Sequence, residues 1–282
     1  MISRFKILTP LVLVVLTFVS TGFAQRPNAQ VTPVPKASPQ KEERKPAQTV
    51  ITKDTGKTAT AEQVAESVIF IYGLGGGRAT LNQIRKTALE RGKISVTNPE
   101  GRTDQATYQR WTQRAETLSK EKIRLDQEFP KGSYALVFND EKIFGVVDNS
   151  VFTPTEDASR AFENQIVHGL EALLRYKEND SKINLAGREK LLGVDYYLLD
   201  VTDKQSRTTR FYISAKSFRV MMLDYEQAGI KYRRKFYDYN YAQGTLVPFR
   251  STLFAGDKII EETEVGTITF GQKIDEAIFS AS

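Results

Sequence analysis

The sequence has no cysteine and a single histidine in 282 residues. Without thiols it can form no disulfide, no thiolate metal centre and no lipid-modified cysteine behind an export signal. One imidazole leaves a zinc site short of its usual ligands. A Ser-His-Asp triad would depend on that same residue, His168, and no Gly-x-Ser-x-Gly turn accompanies it. His168 falls off the apolar stripe of its segment, which predicts a solvated position. After the first residues no apolar run approaches the ~20 residues needed to span a bilayer. An excess of positive charge is also missing from most of the chain. The formal net charge of +6 is accounted for by Arg4, Lys6 and the basic excess of residues 25–57, which leaves the remainder neutral. That balance excludes a global basic surface for nucleic acid.

The glycine-rich run Gly73-Leu74-Gly75-Gly76-Gly77-Arg78 fails as a phosphate loop for a related reason. The dinucleotide pattern needs a sixth-position glycine where Arg78 stands, and a Walker loop needs Gly-Lys-Ser/Thr where Gly-Arg-Ala stands. The run also follows a helical segment, whereas anions bind at helix N-termini. Gly73 is expected to cap that helix with a positive φ, and the stretch from Thr80 to Val96 to form the first strand.

What is present begins with an export pattern. Arg4 and Lys6, the apolar stretch Ile7–Val19 and the small residues up to Ala24 form a secretory signal peptide over residues 1–24, cleaved between Ala24 and Gln25. Residues 25–59 are rich in Pro, Lys and Gln, with too few large apolar side chains to offset the entropy of ordering, and are expected to form a disordered tether. Residues 60–282 are expected to form one domain in the periplasm.

Within that domain the apolar period is mostly two. "KIRLDQEF" places Ile123, Leu125 and Phe129 on one face, and "SYALVFNDEKIFGVVD" is two strands about an Asn139-Asp140 turn. Six further strand segments follow from Val194 to Phe270, joined by short turns. Together they predict an antiparallel meander too large to stay flat. Tyr237, Tyr239 and Tyr241 are expected to share one face, while Glu262 and Glu264 share the wet face. Asp195 and Asp200 point to opposite sides, so neither pair of carboxylates forms an acid-base site. Two helices interrupt the strands. One starts at the capping box Thr60-x-x-Gln63, and the other at Thr153-Pro154 with Glu156, its stripe running through Ala161, Phe162, Ile166, Leu170, Leu173 and Leu174. Helices over the concave face of a curled sheet make a container, and periodicity alone fits an interior void and a solid core equally well.

Several of these stretches resemble the LolA/LolB-like superfamily of lipoprotein carriers, in particular the outer membrane lipoprotein-sorting proteins. They are the opening helix with its glycine pair, the "SYALVFNDEKIFGVVD" hairpin followed by the helix "TPTEDASRAFENQIVHGL", the tyrosine-rich "FYDYNYAQGTLVPFR", and the closing "GTITFGQKIDEAIF". The hairpin departs from the family in having Asn139-Asp140-Glu141 where Asp-Gly is usual, and the polar region Thr103–Lys120 holds the only tryptophan. The resemblance implies an α+β fold, a half-open curved antiparallel β-sheet or incomplete β-barrel with helices covering the concave face. It implies binding of lipid or lipoprotein acyl chains without covalent chemistry, cofactor or metal, by a periplasmic monomer whose further partners are envelope membrane proteins. Alternation and stripe give Trp111, Leu125, Leu136, Phe138, Phe144, Phe162, Ile166, Leu170, Tyr197, Leu199, Phe211 and Ile213 as the expected apolar cavity. The candidate for the family's acyl-chain-gating arginine is Arg114. A stress-sensing module of the RseB-like kind, gripping a protein on the sheet surface or an edge strand, is the alternative.

Overall fold

Thirteen segments with alternating burial pair into a single sheet. They are β1 (Thr87–Thr97), β2 (Thr103–Gln113), β3 (Lys122–Phe129), β4 (Gly132–Asn139), β5 (Lys142–Val147), β6 (Ser150–Phe152), β7 (Lys182–Leu191), β8 (Val194–Thr202), β9 (Thr208–Ser214), β10 (Val220–Gln227), β11 (Ile230–Ala242), β12 (Thr245–Ala255) and β13 (Lys258–Phe270). The computed structural model describes residues 59–98 and 100–280, so the expected signal peptide and tether lie outside the described residues. The strand order is β6-β5-β4-β3-β2-β1-β13-β12-β11-β10-β9-β8-β7, with every pairing antiparallel. The chain therefore walks outward from β1 to one edge, crosses to the other edge and walks back until β13 closes on β1. Among the described residues nothing pairs β6 with β7, so the barrel stays half open.

Bulges bend the sheet. One lies opposite Arg91 and Gly92 of β1, where Gly266 is the extra residue on β13. There a Cβ on Gly92 would come within 2.0 Å of the Glu264 carbonyl oxygen, so only glycine lets β13 lie this close. A second irregularity at Asp238, whose φ is +54°, changes the phase of β11. As a result Phe236 is buried in the core and Tyr239 packs beside it, while Tyr237 lies under Arg250 and Tyr241 is exposed. Tyr237, Tyr239 and Tyr241 therefore do not form the single row expected from alternation. Glu262 and Glu264 are exposed, as the alternation requires.

Among the described residues four α-helices stand where two were expected: α1 (Ala61–Tyr72), α2 (Gly77–Ile84), α3 (Glu156–Val167) and α4 (Leu170–Leu174). The capping box Thr60-Gln63 opens α1 with both reciprocal hydrogen bonds. At its end Gly73 has φ −95°, and the positive φ falls one and two residues later, at Leu74 and Gly75. The glycine run then turns straight into α2, so residues Thr80–Ile84 are helical and β1 begins only at Thr87. Arg78 pins this reversal, donating to Glu66, to Glu178 and to the Leu174 carbonyl. Its charge is thus already met by two carboxylates, which argues against a phosphate there.

The second expected helix is cut in two. Thr155, rather than Thr153, is its N-cap and accepts from the Ala158 amide. The helix stops at His168, the chain is extended at Gly169, and α4 follows. The break turns His168 inward. It is buried, stacks on Tyr225 at 4.1 Å between centroids, and shares a 2.7 Å hydrogen bond with Thr209 Oγ1. The solvated position expected for it is therefore wrong, because the helix stripe ceases to apply where the helix ends.

Two packed clusters fill the ends of the trough. α1 and α4 bury Val64, Val68, Ile69, Tyr72, Leu173 and Leu174 against Leu199, Phe211, Ile213 and Leu223. α3 buries Phe162 and Ile166 against Ile123, Leu125, Leu136 and Phe138. On the convex face the closing segment lays Phe279, fully buried, over the sheet. The Ile278 and Phe279 carbonyls there accept from Arg124 and Asn139.

Candidate functional site

Between the two clusters the concave face keeps a cavity of about 240 Å³. Its floor is made by β1 to β3 and β11 to β13, and its roof by Gln165 and Ile166 of α3 and Leu170 and Glu171 at the start of α4. Ile94, Ile123, Leu125, Ile166, Leu170 and Phe236 supply apolar wall. Glu171 keeps 29% of its side chain exposed, which marks the solvent side.

The rest of the lining is ionic, which the sequence reading did not expect. At the α4 end Glu171 bridges two guanidiniums, Arg85 at 2.7 Å and Arg114. Burial alone would raise the Glu171 carboxyl, but Arg114 and Arg85 outweigh it and hold the group below the usual carboxylate range. Arg85 has its other donors filled by Thr245 Oγ1 at 2.9 Å and the Leu246 carbonyl at 2.7 Å. Behind them Arg175 of the α4 C-cap pairs with Glu121, both side chains almost wholly buried, and donates to the Ala115 carbonyl. Burial, with Arg114 nearby, brings the Arg175 pKa down to about 10. At the other end Gln165 joins Arg110 to Glu261, and Arg234 reaches Glu261 at 2.8 Å. Tyr108 donates to Glu90 at 2.7 Å, and burial followed by that carboxylate pushes its phenol up. Such a lining offers an occupant both apolar surface and charge. Among the described residues no group of three or more His, Asp or Glu side chains is placed to hold a metal ion.

Of the twelve expected cavity residues, Leu125, Ile166 and Leu170 line this space. Leu136, Phe138 and Phe162 lie one layer away in the α3 cluster. Tyr197, Leu199, Phe211 and Ile213 belong to the solid cluster under α1, where Tyr197 is covered by Phe218 and Arg188. Trp111 and Phe144 are on the other face. Trp111 alternates with Arg110 and Thr112, both of which line the cavity. Phe144 pairs with Val137, which itself pairs with Arg124, on the face covered by the closing segment. In both strands the expected phase was one residue out, because β2 carries polar side chains inward and β5 is too short to show its period. Arg114, the candidate from resemblance, lines the cavity. Arg85, Arg110, Glu171 and Glu261 were missed, since charged residues inside a sheet look from sequence like its wet face. A second, more open recess of about 520 Å³ lies over β1 to β5, among charged residues that include Arg91, Arg124, Asp126 and Glu128.

No family model matches this sequence, and no curated protein matches it. Solved structures do. A LolA superfamily protein from Nitrosomonas europaea superposes with a TM-score of 0.57 at 13% identity, over 79% of this chain and 98% of that one. A DUF1329 family protein from Desulfovibrio piger gives a TM-score of 0.54 at 12% identity, over 79% and 98% respectively. A putative outer membrane lipoprotein-sorting protein domain from Vibrio parahaemolyticus gives 0.49 at 12% identity, over 78% and 97%. At these identities the likeness is one of fold, and the chain adopts a LolA-like fold: an α+β, unclosed antiparallel barrel with helices across its concave face.

Proposed function

We propose that this protein is a non-enzymatic binder of lipid or lipoprotein acyl chains, exported to the periplasm and acting as a carrier in lipoprotein sorting to the outer membrane. The observation that carries the reading is the cavity between the curved sheet and the α3–α4 roof, with Ile123, Leu125, Ile166 and Leu170 as apolar lining. Each methylene transferred into such a wall contributes roughly 0.8 kcal/mol when fully desolvated, so a chain can be held without covalent chemistry. At about 240 Å³ the cavity lies just under the roughly 300–1,000 Å³ of small-molecule sites. It suits one short chain as it stands, and several chains would require α3 and α4 to lift. The test is lipid extraction of the purified protein followed by mass spectrometry, then titration of the delipidated protein with a fluorescent fatty acid. Co-purified lipid and one saturable site are expected, and their joint absence defeats the reading.

The alternative is a protein-binding module in the cell envelope. Its supporting observation is the pair of unpaired edges at β6 and β7, with Val151 exposed on one and Leu192 and Val194 exposed in the turn and strand beyond the other. An open edge can accept a partner strand. Envelope function that survives filling of the cavity would favour it.

A further inference from the structure

Resting on the binding reading above, we propose that the α4 end of the cavity seats one anionic headgroup, so that the occupant is an amphiphile bearing a single carboxylate or phosphate on its chain. Arg114 carries the argument. Its side chain is 7% exposed and lines the cavity. One of its terminal nitrogens donates to Glu171, while the other, Nη1, is buried without a hydrogen-bond partner. A buried donor left unsatisfied costs about 1–3 kcal/mol, more when it is charged, so an acceptor entering the cavity recovers that cost.

The neighbouring guanidiniums differ in what they leave open. Glu171 divides one negative charge between Arg85 and Arg114. Every nitrogen of Arg85 is engaged, by Glu171, Thr245 and Leu246, whereas Nη1 of Arg114 is not. Arg175, paired with Glu121, also has an Nε without a hydrogen-bond partner, but Arg175 does not line the cavity. At the opposite end Arg110 has an unpartnered Nε as well, with a single N–H, and Arg110 and Arg234 there face Glu261 and Glu90. From Arg114 the apolar wall of Leu118, Ile123, Leu125, Ile166 and Leu170 leads away along the same cavity. A guanidinium suits carboxylate and phosphate oxygens alike, and a chain on the anion gains the wall as well.

Calorimetric titration of the delipidated protein with decanoate, decanol, decyltrimethylammonium and inorganic phosphate tests this. Decanoate is expected to bind at least tenfold more tightly than decanol, with the ammonium weakest and phosphate alone far weaker than decanoate. Arg114→Met is expected to bring the decanoate-to-decanol affinity ratio close to one. Glu171→Gln, which removes the competing carboxylate, is expected to raise that ratio several-fold. Equal binding of decanol and decanoate by the unmodified protein would overturn the anion seat while leaving the chain-binding reading intact. Phosphate binding as tightly as decanoate would overturn the amphiphile in favour of a free anion. Saturable binding of none of the four would overturn both readings together.

Discussion

At the scale of single residues the fold depends on charges and an imidazole that are kept out of water. Burial, with Arg207 nearby, lowers the His168 pKa from 6.5 to about 4. The unfolded chain therefore binds a proton at higher pH than the folded one. The associated stability is present above pH 6.5 and is lost as pH falls towards 4. With one histidine and no cysteine in the sequence, no other side chain has its ordinary pKa between 5 and 6.5. Urea unfolding at pH 7 and pH 5 is expected to show a loss of roughly 2 kcal/mol from this group. His168→Phe, which keeps the stack on Tyr225, should flatten that difference. Glu121 gives the second expectation. Glu121→Gln leaves Arg175 buried without its counter-charge, and the loss should be about 3–5 kcal/mol. Replacing both partners by Leu and Met should recover most of it, measured by the same denaturation.

At the scale of elements, local signals governed where they were strong. The Thr60-Gln63 box forms as read, and Thr60→Ala should cost α1 about 1 kcal/mol. Gly92→Ala should cost more, because its methyl would meet the Glu264 carbonyl and disturb the β1–β13 join. A lowered thermal midpoint with faster amide exchange in β1 would check it. The strands from β3 to β5 and β8 to β13 were legible as strands from alternation and turn residues, although β5 is too short to fix its phase. β2 and β7 were not, since β2 turns Arg110 and Thr112 towards the cavity and β7 is a polar edge. The bulge at Asp238 reversed a phase that no count of residues could reveal. The α3–α4 break hid in a stripe that continues through it, Ile166 and Leu170 still facing inward on either side of Gly169. Three of the twelve expected cavity residues line the space, and its ionic half went unread, because burial of a charge depends on partners distant in sequence. Arg85 meets Glu171, and Arg110 meets Gln165, only after folding.

At the scale of the whole molecule, one meander turns into a trough because its two ends meet at β1 and β13 while β6 and β7 stay apart. Helices must then cross the trough, and how they fill it decides whether a guest can enter. α1 and α4 fill one end solidly and α3 the other, leaving a gap whose walls are half greasy and half ionic. The central claim is that this gap is a binding site for a hydrocarbon chain. Its most direct measurement is fatty-acid titration of the Ile166→Trp variant beside the unmodified protein, with thermal midpoints recorded for both. The account expects saturable binding by the unmodified protein and at least a tenfold loss in the variant, with the fold retained. Undiminished binding after the indole has filled the gap would contradict it.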